Sequence, residues 1–187
     1  MQHDNGRILG VEMDSGDLLC KAAGALEATP TQDMWHDLVS RLGCALGVDW
    51  VVVARLVPDT EMKLRTLAAW HRGRRVRNFV YEIPSSVEDG PLEDLYVCVR
   101  DAREHLQSAW LKQTRTETFG QIKLIGSIGQ TLGILAVAHS RPLENAQNIE
   151  SLLRIFAFKA TVELEREIAD EHLYCEMLET VRPGTRH

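Results

Sequence analysis

Apolar residues recur along this chain with two different periods, and the places where the period changes divide it into elements. From Thr118 to Leu143 the sequence TFGQIKLIGSIGQTLGILAVAHSRPL holds two apolar runs, FGQIKLIG and LGILAVA, on either side of Ser127-Ile128-Gly129-Gln130. A short glycine-bearing connection between two such runs predicts an antiparallel hairpin. In the second run Leu132, Ile134, Ala136 and Ala138 alternate with Gly133, Leu135, Val137 and His139. Both sets are apolar until the last residue, so this strand is expected to be covered on both faces.

After Arg141-Pro142 the period becomes helical. Asn145 is the expected cap of a helix in which Ile149, Leu152, Leu153, Phe156, Ala157, Ala160 and Leu164 form one apolar stripe. Ile155, Phe158 and Val162 fall on the opposite side at about 100° per residue. A helix with two apolar stripes needs two partners: the chain's own sheet, and another helix or another subunit. From Leu164 to Val181 the spacing of Leu164, Ile168, His172, Cys175 and Leu178 makes a weak coiled-coil pattern, interrupted by His172 and by charge.

Upstream, Asp14 or Ser15 caps a first expected helix with Leu19, Ala22, Ala23 and Leu26 on one face. Thr29-Pro30-Thr31-Gln32 reads as the start of a second, with Trp35, Leu38, Val39, Leu42 and Leu46 as its buried stripe and Gly47 as its stop. Asp49–Val57, Leu64–Trp70 and Asn78–Ile83 predict strands. Ser85–Leu95 is polar and turn-rich and is expected to be irregular, Tyr96–Val99 to be a short strand, and His105–Gln113 to hold a short helix. This order describes an α+β chain: an antiparallel sheet of about five or six strands covered by its terminal helices.

Composition narrows the function classes. With 187 residues the chain is expected to form one domain, residues 14–173 including the N-terminal helices, after a flexible start at 1–13 and before a helix end and tail at 174–187. A net charge of -6 argues against a nucleic-acid surface. Arg72, Arg74, Arg75 and Arg77 are the local exception; they read as a solvated loop between strands, with an anion site as the minor alternative. Cys20, Cys44, Cys98 and Cys175 show no C-x-x-C and no zinc-like pairing with histidine, as expected of reduced thiols. No secretory leader and no run of about 20 apolar residues stands out, so the expected location is cytoplasmic, with no membrane partner.

A family resemblance rests on several short pieces in order: Thr66-Leu67-Ala68-Ala69-Trp70, Asn78-Phe79-x-Tyr81-x-Ile83, Val97-Cys98-Val99, Leu132-Gly133-x-Leu135-Ala136-Val137, Arg141-Pro142-Leu143, Leu152-Leu153-x-Ile155-Phe156-Ala157 and Glu163-Leu164-Glu165-Arg166. Together they resemble the GAF domains of bacterial signalling proteins, most of all those near the start of sensor histidine kinases, over Thr31 to Leu173. The resemblance implies a central antiparallel sheet with the helices packed on one face and a small-molecule pocket beneath loops on the other. It also implies a homodimer through the terminal helices, with a signalling output domain or kinase as partner. Two departures fall where a pocket would be lined. Ile83-Pro84-Ser85-Ser86-Val87-Glu88 replaces the Gly-Thr-Pro-Cys segment common in such domains, and His105-Leu106-Gln107-Ser108 stands where Phe-Pro-x-Asp is common.

Candidate chemistry is sparse. No H-E-x-x-H, G-x-S-x-G or P-loop pattern occurs, so no catalytic set is named. GAF enzymes that reduce free methionine sulfoxide need a nucleophilic and a resolving cysteine close together, and only Cys98 falls in the pocket region. Bilin attachment would use a cysteine often followed by histidine, whereas Val99 follows Cys98; haem ligation would draw on His71, His105 or His139, and the cyclic-nucleotide signature is missing. No metal site is expected and the cofactor is left open. The pocket candidates are Trp70, Asn78, Phe79, Tyr81, Ser85, Ser86, Tyr96, Cys98, Trp110 and Phe119. The alternative is that the aromatic residues only fill a core, in a ligand-free dimerisation or interaction module.

Overall fold

Secondary structure follows the two periods. The computed structural model describes residues 34–58, 63–87 and 90–181. The expected first helix, the Thr29-Pro30 start of the second, and Cys20 lie outside these residues. In chain order the elements are α1 (Met34–Leu46), β1 (Trp50–Leu56), β2 (Lys63–His71), β3 (Arg74–Val76), β4 (Val80–Glu82), β5 (Ser85–Ser86), β6 (Gly90–Pro91), β7 (Leu95–Cys98), α2 (Ala102–His105), β8 (Leu106–Gln107), α3 (Ala109–Gln113), β9 (Thr118–Ile125), β10 (Thr131–His139) and α4 (Ala146–Val181).

The hairpin organises the sheet. β9 and β10 pair antiparallel, and their turn closes through Gly126 N donating to Gln130 O at 2.8 Å, with Gly129 at φ +82° where a side chain would be strained. The strand order is β3-β2-β1-β10-β9-β7, with β4 also pairing β2, and every pairing is antiparallel. A small second sheet, β6-β5-β8, lies in the excursion between β4 and β9. Among the described residues this is an α+β fold with a central antiparallel sheet, as the periodicity predicts.

Each face of the sheet carries its own core. Leu135 and Val137 of β10, with Val51 and Val53 of β1, pack under Leu38, Val39 and Leu42 of α1 and under Leu152, Leu153, Phe156, Ala160 and Leu164 of α4. Ile134, Ala136 and Ala138, with Val52 and Ala54, face the other way and are covered by Leu92, Ala102, Leu106 and Leu111 from the excursion. We call these the helix side and the lid side. Alternate residues of one strand supply both, because successive side chains point to opposite faces.

α1 sits close to the sheet because Gly43 faces Trp70. A Cβ at position 43 would stand 2.5 Å from Trp70 Cζ3. Gly43→Ala is therefore expected to destabilise the fold by about 1–2 kcal/mol, overpacking outweighing the better helix propensity of alanine. Urea unfolding of both proteins measures it.

α4 begins at the expected cap, Asn145 Oδ1 accepting from Asn148 N at 3.1 Å, and runs without a break to Val181. Three carboxylates tie its later turns to three different elements. Glu165 Oε1 accepts from Ser127 N at 2.6 Å and from Ser127 Oγ at 2.7 Å, in the hairpin turn. Trp35 Nε1 of α1 donates to Glu167 Oε1 at 2.7 Å. The Arg55 guanidinium of β1 grips both oxygens of Glu171, at 2.8 and 3.0 Å from Nη1 and 3.1 Å from Nη2. From Glu171 to Leu178 every side chain is exposed.

Three local expectations need correction. Arg74–Val76 is a strand rather than a loop: it pairs with β2 at the edge of the sheet, where solvent-facing arginines are compatible with pairing. The short helix expected within His105–Gln113 is present as α3 but is confined to Ala109–Gln113, because Leu106 and Gln107 are drawn out to pair with Ser86 and Ser85; Ser108 caps it, accepting from Leu111 N at 3.4 Å. Asn78 and Phe79 are not strand. Phe79 is held instead by Thr66, whose N donates to Phe79 O at 3.0 Å and whose Oγ1 accepts from Phe79 N at 2.8 Å.

Candidate functional site

The lid side is built in rows that cross the sheet. Register places Tyr96, Gln121, Ala136, Val52, Ala69 and Val76 side by side on β7, β9, β10, β1, β2 and β3. The next row is Cys98, Phe119, Ala138, Trp50, His71 and Arg74. Alanines at 54, 69, 136 and 138 make the floor low at its centre.

Above that floor lies a group of rings. Trp110 of α3 stands 5.8 Å from Trp50 edge-on, 5.8 Å from Tyr81 and 6.4 Å from Phe79. Trp50 in turn stacks on His71 at 4.0 Å, and Tyr96 lies 6.5 Å from Phe119. Such tilted and edge-on spacings are those of attractive aromatic pairs.

Among the described residues, two polar atoms in this layer have no partner. Gln121 is 1 % exposed, and its Oε1 accepts no hydrogen bond. The Tyr81 hydroxyl is likewise buried and unpartnered. Burial pushes the Tyr81 phenol well above its usual range, so it stays a neutral donor. An unsatisfied buried polar group costs about 1–3 kcal/mol, and two facing one core ask for a reason.

Six of the ten pocket candidates meet here: Phe79, Tyr81, Tyr96, Cys98, Trp110 and Phe119 all pack in or against the lid-side core. Ser85 and Ser86 are half-buried in β5, within the lid's small sheet. Asn78 is exposed; its Nδ2 donates to Leu67 O at 3.1 Å, beside an open groove of about 410 Å³ that Arg55, Arg65 and Glu171 also border. Trp70 stands apart from the others, on the helix side against Gly43. Sequence reasoning missed Gln121 and Trp50. The available signal for Gln121 was a lone uncharged polar residue inside an apolar strand run.

Among the described residues the lid side offers one thiol. Cys98 Sγ approaches Arg100 O at 3.0 Å, while the exposed Cys44 and Cys175 lie on α1 and α4, which cover the other face. The histidines are dispersed. His71 is stacked on Trp50, with burial and the Arg72 charge lowering its pKa against a smaller opposing pull from Asp49. His105 is exposed on α2, and His139 Nδ1 lies 3.3 Å from Asp49 Oδ2.

Asp49 closes the end of the sheet beneath these rings. Its Oδ1 accepts from Arg72 Nε at 2.7 Å, and its Oδ2 from Ser140 N at 2.9 Å and from Ser140 Oγ. One buried carboxylate thus joins the start of β1, the turn after β2 and the end of β10. The Arg72 bond, ahead of the Ser140 bonds and against the penalty of burial, holds the carboxyl well below the usual carboxylate range.

Among the described residues, no helix is long and apolar enough to cross a membrane. No family model and no curated protein matches the chain. Solved structures do. A domain of a protein described as a two-component sensor histidine kinase from Sinorhizobium meliloti 1021 superposes with TM-score 0.55 at 13 % identity, covering 79 % of this chain and 99 % of that one. The GAF domain of an Acinetobacter phosphoenolpyruvate-protein phosphotransferase gives 0.61 at 13 % identity, covering 84 % and 97 %. The chromophore-binding domain of Stigmatella aurantiaca bacteriophytochrome gives 0.58 at 12 % identity over 82 % of this chain and 62 % of that one. With a sheet carrying helices on one face and an irregular aromatic cover on the other, the chain has the fold of a GAF domain.

Proposed function

We propose that this chain is a sensory domain of signal transduction that takes a small molecule on the lid side and reports it through α4, paired with α4 of a second copy. The observation that carries the reading is the division of labour between the two faces. One holds buried polar atoms without partners, among the described residues, under a cover of short strands and helices; the other holds a long helix fastened by Glu165, Glu167 and Glu171. β1, β9 and β10 lie between them and contribute to both cores. Ligand shifts the packing of α4 only to the extent that it binds two arrangements unequally.

The dimer rests on the second stripe of α4. Phe158 is 76 % exposed, Val162 51 % and Leu173 59 %, with half-buried Ile155 on the same side. A stripe of this length on a fastened helix suits a parallel or antiparallel neighbour of the same kind. An output domain or kinase partner would read the helix beyond Glu171. Sedimentation equilibrium tests this: the wild type is expected to be a dimer, and Phe158→Glu or Val162→Glu to weaken it by at least about thirtyfold each. A wild-type monomer at a concentration on the order of tens of micromolar removes the dimeric part of the reading.

One observation favours a second reading. Trp110 packs within 6.4 Å of Trp50, Phe79 and Tyr81, so the rings themselves fill part of the lid side. A domain whose lid side stays filled would be an interaction module without ligand.

A further inference from the structure

We infer that the lid side takes an uncharged, planar aromatic molecule carrying an N–H or O–H donor, which Gln121 accepts and which Tyr81 meets with its own hydroxyl. The inference rests on the sensory reading and adds the chemical class of the ligand.

Charge is decided by what is buried. Among the described residues Asp49 is the one buried ionisable side chain of the acidic or basic kind, and both of its oxygens are already taken by Arg72 and Ser140. Among the described residues an ionised ligand would meet no other fully buried counter-charge, and an unpaired buried charge is far costlier than a buried neutral polar group. The two free groups are instead a neutral acceptor and a neutral donor. Gln121 is 1 % exposed, with Oε1 unpartnered, and the Tyr81 hydroxyl is buried without an acceptor.

Shape is decided by the walls. Gln121 stands in the row with Ala136, Val52 and Ala69, where small side chains leave the floor low, while Trp110 and Phe79 supply ring faces and edges above. Walls of this kind select a flat ring, which gains from stacking as well as from burial. Hydrogen-bonding sites of this kind discriminate strongly, because a ligand lacking the donor leaves the site's own polar groups unpaired.

The test is a set of ¹H–¹⁵N NMR titrations of the full chain with indole, toluene and benzoate. Indole is expected to shift the Gln121 side-chain amide and the Trp110 indole signal saturably; toluene should bind at least about fivefold more weakly and benzoate not at all. Gln121→Leu should weaken indole by about tenfold while raising the melting temperature of the ligand-free protein, since an apolar side chain removes an unsatisfied buried group. Tyr81→Phe provides the second variant, with unchanged fold and weaker binding of phenol than in the wild type.

Benzoate binding as well as indole, or Gln121→Leu binding indole as well as the wild type, overturns the ligand class and leaves the sensory reading standing. A Gln121→Leu protein that loses stability instead shows the amide to be a structural group, and overturns the inference too. If no probe binds and the purified protein retains no small molecule, the inference and the sensory reading fall together.

Discussion

Gly133→Val is expected to leave no folded protein. Gly133 pairs with Arg55 of β1 at the centre of the sheet, and a Cβ there would stand 2.0 Å from the Ala54 carbonyl oxygen. That oxygen belongs to backbone, so relief requires β1 and β10 to separate where both cores meet. Even Gly133→Ala should cost at least about 4 kcal/mol, in the range where overpacking is diagnostic. Gly129→Ala, in the hairpin turn, is the informative comparison. It has nothing within 4 Å but sits at φ +82°, so its cost is conformational alone, about 1–2 kcal/mol. Soluble yield and urea midpoints of the three variants separate a steric clash from backbone strain.

Asp49→Asn should lower stability by about 3 kcal/mol at neutral pH and remove much of the acid sensitivity of the fold. The carboxylate is 11 % exposed at the side chain and joins three chain segments through Arg72 and Ser140. His139 is the other titratable group facing it, at 3.3 Å. Because the folded pKa is depressed, the stabilisation is present above the unfolded carboxylate value of about 3.9 and is lost as pH falls through the folded value. The wild type should therefore lose stability steeply below about pH 4, and Asp49→Asn should show a shallower acid limb from a lower plateau. Chemical denaturation at a series of pH values measures both. Equal slopes would mean that other carboxylates dominate acid unfolding.

Much of the scaffold was legible because its signals are periodic. The Leu132–Ala138 alternation gave a strand covered on both sides, and it is buried throughout. Asn145 and the Ile149–Leu164 stripe gave the start and buried side of α4. Trp70 illustrates where periodicity stops. Counting by twos from Leu64, which faces the lid side, would put Trp70 there as well; but β2 bulges between its partners of Val53 and Ala54, so that Ala68 and Thr66 are paired while Leu67 is extra. One extra residue turns every later side chain to the other face.

The lid was legible in composition but not in shape. Its short strands and helices are held by tertiary pairing, as when Ser85 and Ser86 draw Leu106 and Gln107 out of a helix, and local propensity carries no trace of such partners. Gln121 was passed over because polar residues in strands ordinarily face water. Its significance appears only when register puts it between Tyr96 and Ala136 under the lid.

The central claim, a dimeric domain that holds a small molecule under its lid, is tested most directly by native mass spectrometry of the protein as purified, set against its denatured mass. The account predicts a dimer carrying extra mass that is lost on denaturation, of a size that fits an uncharged aromatic compound. A bare monomer would contradict it.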